Sequence, residues 1–199
     1  MSLPTFILAS ASPRRAELLQ QLGFEFQIVP SDSLEIVHES LTAGELAQIN
    51  AYRKARRISK KFPDAVTLGV DTLVALDGAI FGKPTSLVDA HRMVSMLQGQ
   101  THQVVTGVCL IHLRAHRQRM FADQTDVTFR PLTLEQIRHY HKKVNPLDKA
   151  GGYAIQESGD LLVEAISGSF TNVVGLPLER LHDELARFNV AIPLPMATA

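Results

Sequence analysis

The chain has almost no cysteine: Cys109 is the one in 199 residues, and it sits in the apolar run 104–113. A disulfide within one chain is thereby excluded, which agrees with a reducing cytoplasm. The thiol itself reads as a small buried hydrophobe. Charge of one sign is not in excess either, with 20 Lys and Arg against 20 Asp and Glu. That balance argues against bulk binding to nucleic acid or to a membrane surface. No apolar run approaches the roughly 20 residues that span a bilayer. No basic stretch followed by a long apolar one opens the chain, so no secretory leader is expected.

Several motifs are also missing. There is no G-x-x-x-x-G-K-[ST], no G-x-G-x-x-G after a strand and no G-x-S-x-G, so P-loop, Rossmann and serine-elbow chemistry are poor readings. The histidines number 8. His112 and His116 are four apart, and His139 and His141 are two apart, but no cysteine or carboxylate cluster completes a zinc set. They are read as surface residues. No internal repeat, low-complexity tract or linker is visible. With 45% hydrophobic and 20% charged residues, the chain fits one domain over 1–199, or two lobes sharing a core.

What is present centres on residues 6–19. Phe6 to Ala9 is a short apolar strand. Ser10, Ala11 and Ser12 make a turn of small residues, and Ser12 followed by Pro13 predicts a helix start. Arg14 and Arg15 stand in the first turn, where the helix dipole alone would disfavour them. Two guanidiniums beside free backbone N–H groups and serine hydroxyls suit a polyanion. The alternative is a plain strand-to-helix connection with solvated arginines.

Further along, the helix after Pro13 ends near Gly23, and residues 24–29 read as a strand closed by Pro30. Thr42 with Glu45 three positions on predicts a capped helix. Its basic residues, from Arg53 to Lys61, read mostly as a solvated face. Residues 66–76 form a buried strand that carries Asp71, and an aspartate among Val, Leu and Thr requires a reason. It is a structural carboxylate bonded to backbone N–H groups, a metal ligand or a general base. Asp77-Gly78 is a hairpin turn. Helices follow over 86–97 and 133–142, the second with Thr133 and Gln136 as a capping box. Residues 103–113 and 120–129 are strands joined by a basic hairpin region. Asp148-Lys149 precede two glycines and a short strand. Residues 161–166 are strand-like, and a helix runs over 177–188 before a loose proline-rich tail at 193–199. Hairpins among interleaved helices and strands predict a mixed α/β sheet.

Small residues and charge coincide at 10–15, 69–72, 82–84 and 148–156. Arginine and lysine suit phosphate oxygens. Asp32, Glu35 and Asp71 suit a divalent cation or activation of water. Together they point to metal-assisted hydrolysis of a phosphoanhydride.

The segments 8–19, 69–74, 82–84, 148–156 and 168–177 occur together in an order that resembles the Maf family of nucleoside triphosphate pyrophosphatases over nearly the whole chain. The resemblance implies an α/β fold related to that of the inosine triphosphate pyrophosphatases: a mixed twisted sheet flanked by helices, in two lobes with a cleft. It implies cleavage between the α- and β-phosphates with Mg²⁺ or Mn²⁺, a nucleoside triphosphate as the partner and a homodimer; the cytoplasmic setting rests on the lone cysteine. By the same resemblance Asp71 is the proton acceptor. Ser10, Arg15, Lys54, Lys83 and Lys149 bind substrate, and Glu35, Asp71 and Asp148 face the metal. Arg14, Thr72 and Gln156 match the branch acting on dTTP and UTP rather than the one acting on 7-methyl-GTP. A glutamine amide both donates and accepts, which suits the imide edge of uracil or thymine. Leu34 is a departure, since the family often carries an acidic pair at or just before Glu35. A nucleotide-binding regulator of septum formation without turnover is the rival class.

Overall fold

Small side chains decide where the longest helix lies. The structure, a computed structural model, describes residues 5–188 and 190; the tail at 193–199 falls outside them. Helix α2 (Ala43–Ser59) opens with the expected capping box, Thr42 and Glu45 each satisfying the other's backbone. Its Ala47, Ala51 and Ala55 recur every four residues and are fully buried. They lie on two glycines of the sheet. A Cβ on Gly69 of β3 (Val66–Leu76) would run into the carbonyl oxygen of Ala51, and one on Gly107 of β5 (Thr101–His112) into the backbone of Ala47. Backbone meets backbone here, so neither glycine can carry a side chain without moving the helix.

The sheet has seven strands. Their order is β2-β1-β3-β5-β6-β7, with β4 paired to β3. Strand β1 (Phe6–Leu8) runs parallel to both β2 (Gln27–Ile28) and β3. Strand β4 (Ala79–Phe81) is antiparallel to β3, and β7 (Val163–Ser167) is antiparallel to β6 (Arg117–Phe129). The mixed sheet expected from sequence is therefore present. The β3–β4 turn has Asp77 at φ 49° and Gly78 at φ 83°. Two successive left-handed residues match strand twist, which is why Asp-Gly marks such turns.

The helices are α1 (Pro13–Gln20), α2, α3 (Leu87–Leu97), α4 (Leu134–Lys143), α5 (Phe170–Val174) and α6 (Leu178–Arg187). Thr133 and Gln136 cap α4 as a box, and Ser86 caps α3 through the Asp89 amide. Two sequence expectations give way. The strand over 24–29 shrinks to two exposed residues, and residues 153–156, expected as a strand, follow a 3₁₀ turn over Ala150–Gly152 without joining the sheet. Gly151 and Gly152 hold φ 69° and 76° there, a conformation that takes the chain away from a strand path.

Two compact units divide the described residues. The first comprises residues up to Asp71, 106–123 and from Gly175 onward; the second comprises 72–105 and 124–174. In the first, Ile7, Ala9, Ile58 and Ala65 form one apolar cluster, and Ala51, Ala55, Cys109 and Ile111 form another. Burial raises the Cys109 thiol to about 12, as suits an inert core residue. In the second, Phe129, Ile137, Tyr140 and Leu162 anchor a larger core. Each such side chain contributes about 1.5–3 kcal/mol on burial.

That second core also holds histidines, which corrects the reading of all of them as surface residues. His102 is buried and shares a 2.7 Å hydrogen bond with the Tyr153 hydroxyl. Burial pushes its imidazole down to about 4, so it is neutral at physiological pH. His141 is buried as well. Its Nε2 donates to the Gly152 carbonyl at 2.9 Å, and its ring stacks on His91 at 5.0 Å between centroids.

Candidate active site

The turn between β1 and α1 is held from within. The Ser10 hydroxyl accepts from the Ser12 amide at 3.2 Å and from Arg15 Nη1 at 3.1 Å. Pro13 takes the first helical position as expected, but the Ser12 side chain makes no cap bond. Arg15 Nε donates to the Gly175 carbonyl at 2.9 Å, and Nη1 donates to the Val70 carbonyl at 3.1 Å. The guanidinium thus ties the turn to the residue before Asp71 and to a segment 160 residues away. Burial lowers the Arg15 pKa, and the charge of Asp71 opposes that.

Asp71 follows from the packing of α2. Gly69 faces α2, and side chains alternate along a strand, so Asp71 faces α2 too. Asn50 and Lys54 are four apart on one side of that helix. The Asp71 carboxylate is 3% exposed. Lys54 Nζ donates to its Oδ1 at 2.6 Å and to Glu35 Oε1 at 2.8 Å. Asn50 Nδ2 reaches its Oδ2 at 3.3 Å. Both of these partners, Lys54 and Asn50, are side chains of α2. Burial raises the Asp71 pKa; the Lys54 ammonium pulls it back, and the Glu35 charge adds to the rise.

The other basic residues of α2 line a largely exposed face, as the sequence suggested, but two of them are engaged. Arg57 grips Asp32 with two bonds of 2.9 and 3.0 Å, and Arg53 Nε donates to the Leu34 carbonyl at 3.4 Å. Asp32 is therefore engaged by Arg57. The Leu34 side chain is 82% exposed, so the departure at that position leaves Glu35 at Lys54.

The second unit carries a parallel construction. Lys149, 5% exposed, donates to the Asn145 carbonyl at 2.8 Å and to Asp148 Oδ1 at 2.9 Å, and pairs with Glu157 Oε1 at 3.3 Å. The Gly151 amide donates to the Gly82 carbonyl at 3.0 Å, so the segment bearing the exposed Lys83 lies beside the one bearing Lys149. Thr72, directly after Asp71 on β3, and the exposed Gln156 also belong to this unit; Arg14, on α1, belongs to the first.

The structure thus brings Glu35, Lys54 and Asp71 together, and Ser10 with Arg15. Asp148 is not among them; it lies in the second unit with Lys149. Among the described residues no group of three or more His, Cys, Asp or Glu side chains is gathered for a metal. Sequence reasoning missed Asn50 and Glu157. Asn50 had a signal, as a polar residue inside a helix whose neighbours at that depth are Leu46, Ala47 and Ala51. Glu157 had none, because its distance from Lys149 depends on the 3₁₀ turn.

Fold and site together define an α/β protein whose two units each hold a lysine between two carboxylates, half-buried Lys54 in one and buried Lys149 in the other. The chain belongs to the Maf-like protein family, whose sequence profile matches residues 5–188. It is 44% identical over 187 residues to the dTTP/UTP pyrophosphatase of Symbiobacterium thermophilum, covering 94% of this chain and 95% of that one. To the enzyme of the same name from Moorella thermoacetica it is 45% identical over 186 residues, with 94% and 96% covered. To that of Gloeobacter violaceus it is 46% identical over 183 residues, with 92% and 95% covered. Among solved structures, a HAM1 protein from Coxiella burnetii aligns at TM-score 0.39 and 14% identity, over 64% of this chain and 73% of that one. No helix among the described residues is long and apolar enough to cross a membrane.

Proposed function

We propose that the chain hydrolyses dTTP and UTP to the nucleoside monophosphate and pyrophosphate. The observation that carries this is the Asp71 carboxylate, 3% exposed and held between Lys54 and Asn50, in a chain so similar to the pyrophosphatases above. Burial makes Asp71 a stronger base than an exposed aspartate, and Lys54 keeps it ionised. It takes a proton from water as the water oxygen attacks the α-phosphorus, and the bond to the bridging oxygen breaks with pyrophosphate leaving. Arg15, by fixing Ser10 and the Val70 carbonyl, orders the turn that receives phosphate. Lys83 and Lys149 supply positive charge for the leaving pyrophosphate. Arg14, Thr72 and Gln156 select the base.

A divalent ion, Mg²⁺ or Mn²⁺, belongs to the same proposal. Glu35 and Asp71 already converge on one cation, the Lys54 ammonium. Two carboxylates fit an ion that completes its shell with water and phosphate oxygens. Glu35 and Asp71 would hold it, and it would neutralise phosphate charge. The cytoplasmic setting, which the single buried Cys109 suits, and a homodimer complete the proposal.

The test is pyrophosphate release from dTTP, UTP, CTP, GTP and 7-methyl-GTP with Mg²⁺, by the wild-type chain and by Asp71→Asn. Turnover of dTTP and UTP is expected, lost by about 10²–10⁴-fold in the variant while nucleotide still binds. Turnover of 7-methyl-GTP alone would overturn the substrate assignment. Undiminished turnover in Asp71→Asn would remove Asp71 from catalysis.

A further inference from the structure

Asn50 is buried in the middle of α2 with 2% exposure, where an apolar side chain would pack at lower cost. Its amide is used at both ends. Oδ1 accepts from the Ile36 N–H at 2.7 Å, and Nδ2 donates to the Ile36 carbonyl at 3.2 Å. This is the pairing that one strand residue makes with another, made here by a side chain. The same Nδ2 donates to Asp71 Oδ2 at 3.3 Å. Ile36 follows Glu35, and residues 29–38 contain no helix or strand. Such a segment has no ladder of its own to fix its path, so the position of Glu35 depends on what grips its backbone. Arg53 holds Leu34 at the surface, through a longer bond of 3.4 Å. The buried grip is Asn50.

We infer that Asn50 is a positioning residue for the proposed reaction: one side chain fixes Asp71 and, through the backbone of Ile36, sets Glu35 against Lys54 so that the two carboxylates face a common cation. The inference rests on the pyrophosphatase reading above. Alanine at 50 removes every bond of the amide. Aspartate at 50 keeps the shape and the acceptor for the Ile36 N–H, but donates to neither Ile36 nor Asp71.

Two measurements on the full chain test this. The first is the kinetics of pyrophosphate release from dTTP for Asn50→Ala, Glu35→Gln and the double variant. A misplaced group costs on the order of 10²-fold in rate, so Asn50→Ala is expected to lower kcat by about 10- to 100-fold with KM changed far less. The double variant should be little worse than the slower single one, because both changes disable the same carboxylate. Losses that multiply would show that Asn50 acts independently of Glu35 and would overturn the inference, as would wild-type kcat in Asn50→Ala. If alanine prevents folding, Asn50→Asp replaces it, and full activity in that isostere would also overturn the inference.

The second measurement is hydrogen exchange of the Ile36 amide, which needs no substrate. Its protection should fall in Asn50→Ala while the core amides of β3 stay protected. Unchanged protection would overturn the inference whatever the kinetics. A wild-type chain that releases no pyrophosphate would sink the proposed function instead, and the exchange experiment would still decide whether Asn50 holds the segment.

Discussion

Replacing Lys54 with methionine isolates the electrostatics of the site. Methionine keeps most of the stem and removes the ammonium that lies 2.6 Å from Asp71. The carboxylate, 3% exposed, then keeps the Asn50 amide and still feels the charge of Glu35. It must either stay ionised without its counter-charge or take up a proton. Protonation sets the ceiling on the cost. At pH 7 it lies about three units above the usual aspartate value, and at about 1.4 kcal/mol per unit the ceiling is about 4 kcal/mol. At pH 5 the same ceiling is about 1.5 kcal/mol. The sign follows from linkage. A carboxyl whose folded pKa is raised above its unfolded value costs stability at high pH, and the cost fades as pH falls through the folded pKa towards the unfolded one. Wild type shows the same trend in weaker form, because Lys54 offsets the burial. Urea unfolding of both proteins in chelator at pH 7, 6 and 5 measures the difference. It should be about 2–4 kcal/mol at pH 7, overlapping the roughly 3–5 kcal/mol for breaking a fully buried pair, and should shrink steadily with acid. A difference constant across this range would refute the assignment of Asp71 as a buried carboxylate held ionised by Lys54.

Two further outcomes are expected. Glu184, nearly buried on α6, accepts from Arg119 at 2.6 and 2.9 Å and from Arg187 at 3.0 Å, and the Arg119 hydrogen bonds hold its carboxyl below the usual range. Glu184→Gln should therefore cost about 1–2 kcal/mol at pH 7 in urea unfolding. This stabilisation is present above the unfolded glutamate value and lost as pH falls through the lower folded one, so the variant and wild type should converge in acid; a difference that grew there would contradict it. Gln156→Glu should lower dTTP and UTP turnover relative to GTP by about tenfold or more, because a carboxylate cannot donate to an imide carbonyl. An unchanged UTP-to-GTP ratio would place base selection elsewhere.

The features legible in the sequence were those whose cause lies within a few residues. Thr42 with Glu45, and Thr133 with Gln136, announce helix starts because the cap and its partner are three positions apart. Asp77-Gly78 announces a turn because both residues must adopt positive φ. Asp71 stood out because a carboxylate in an apolar strand is costly wherever the strand lies. The strand expected at 153–156 failed for the opposite reason. Its composition suits a strand, but Gly151 and Gly152 turn the chain first, and edge pairing is a matter of tertiary context.

By itself, then, the sequence determined most of the elements, the mixed character of the sheet and the family resemblance. It did not determine their partners. That Lys54 stands between Glu35 and Asp71, that Arg15 reaches Gly175, and that Asn50 holds Ile36 are contacts across 14 to 160 residues. They exist because Gly69 and Gly107 let α2 settle against the sheet backbone. A side chain at either glycine would move the helix, and Asn50 and Lys54 with it. The order of residues along the chain carries local conformational preference, whereas the closeness of two backbones is a property of the packed whole.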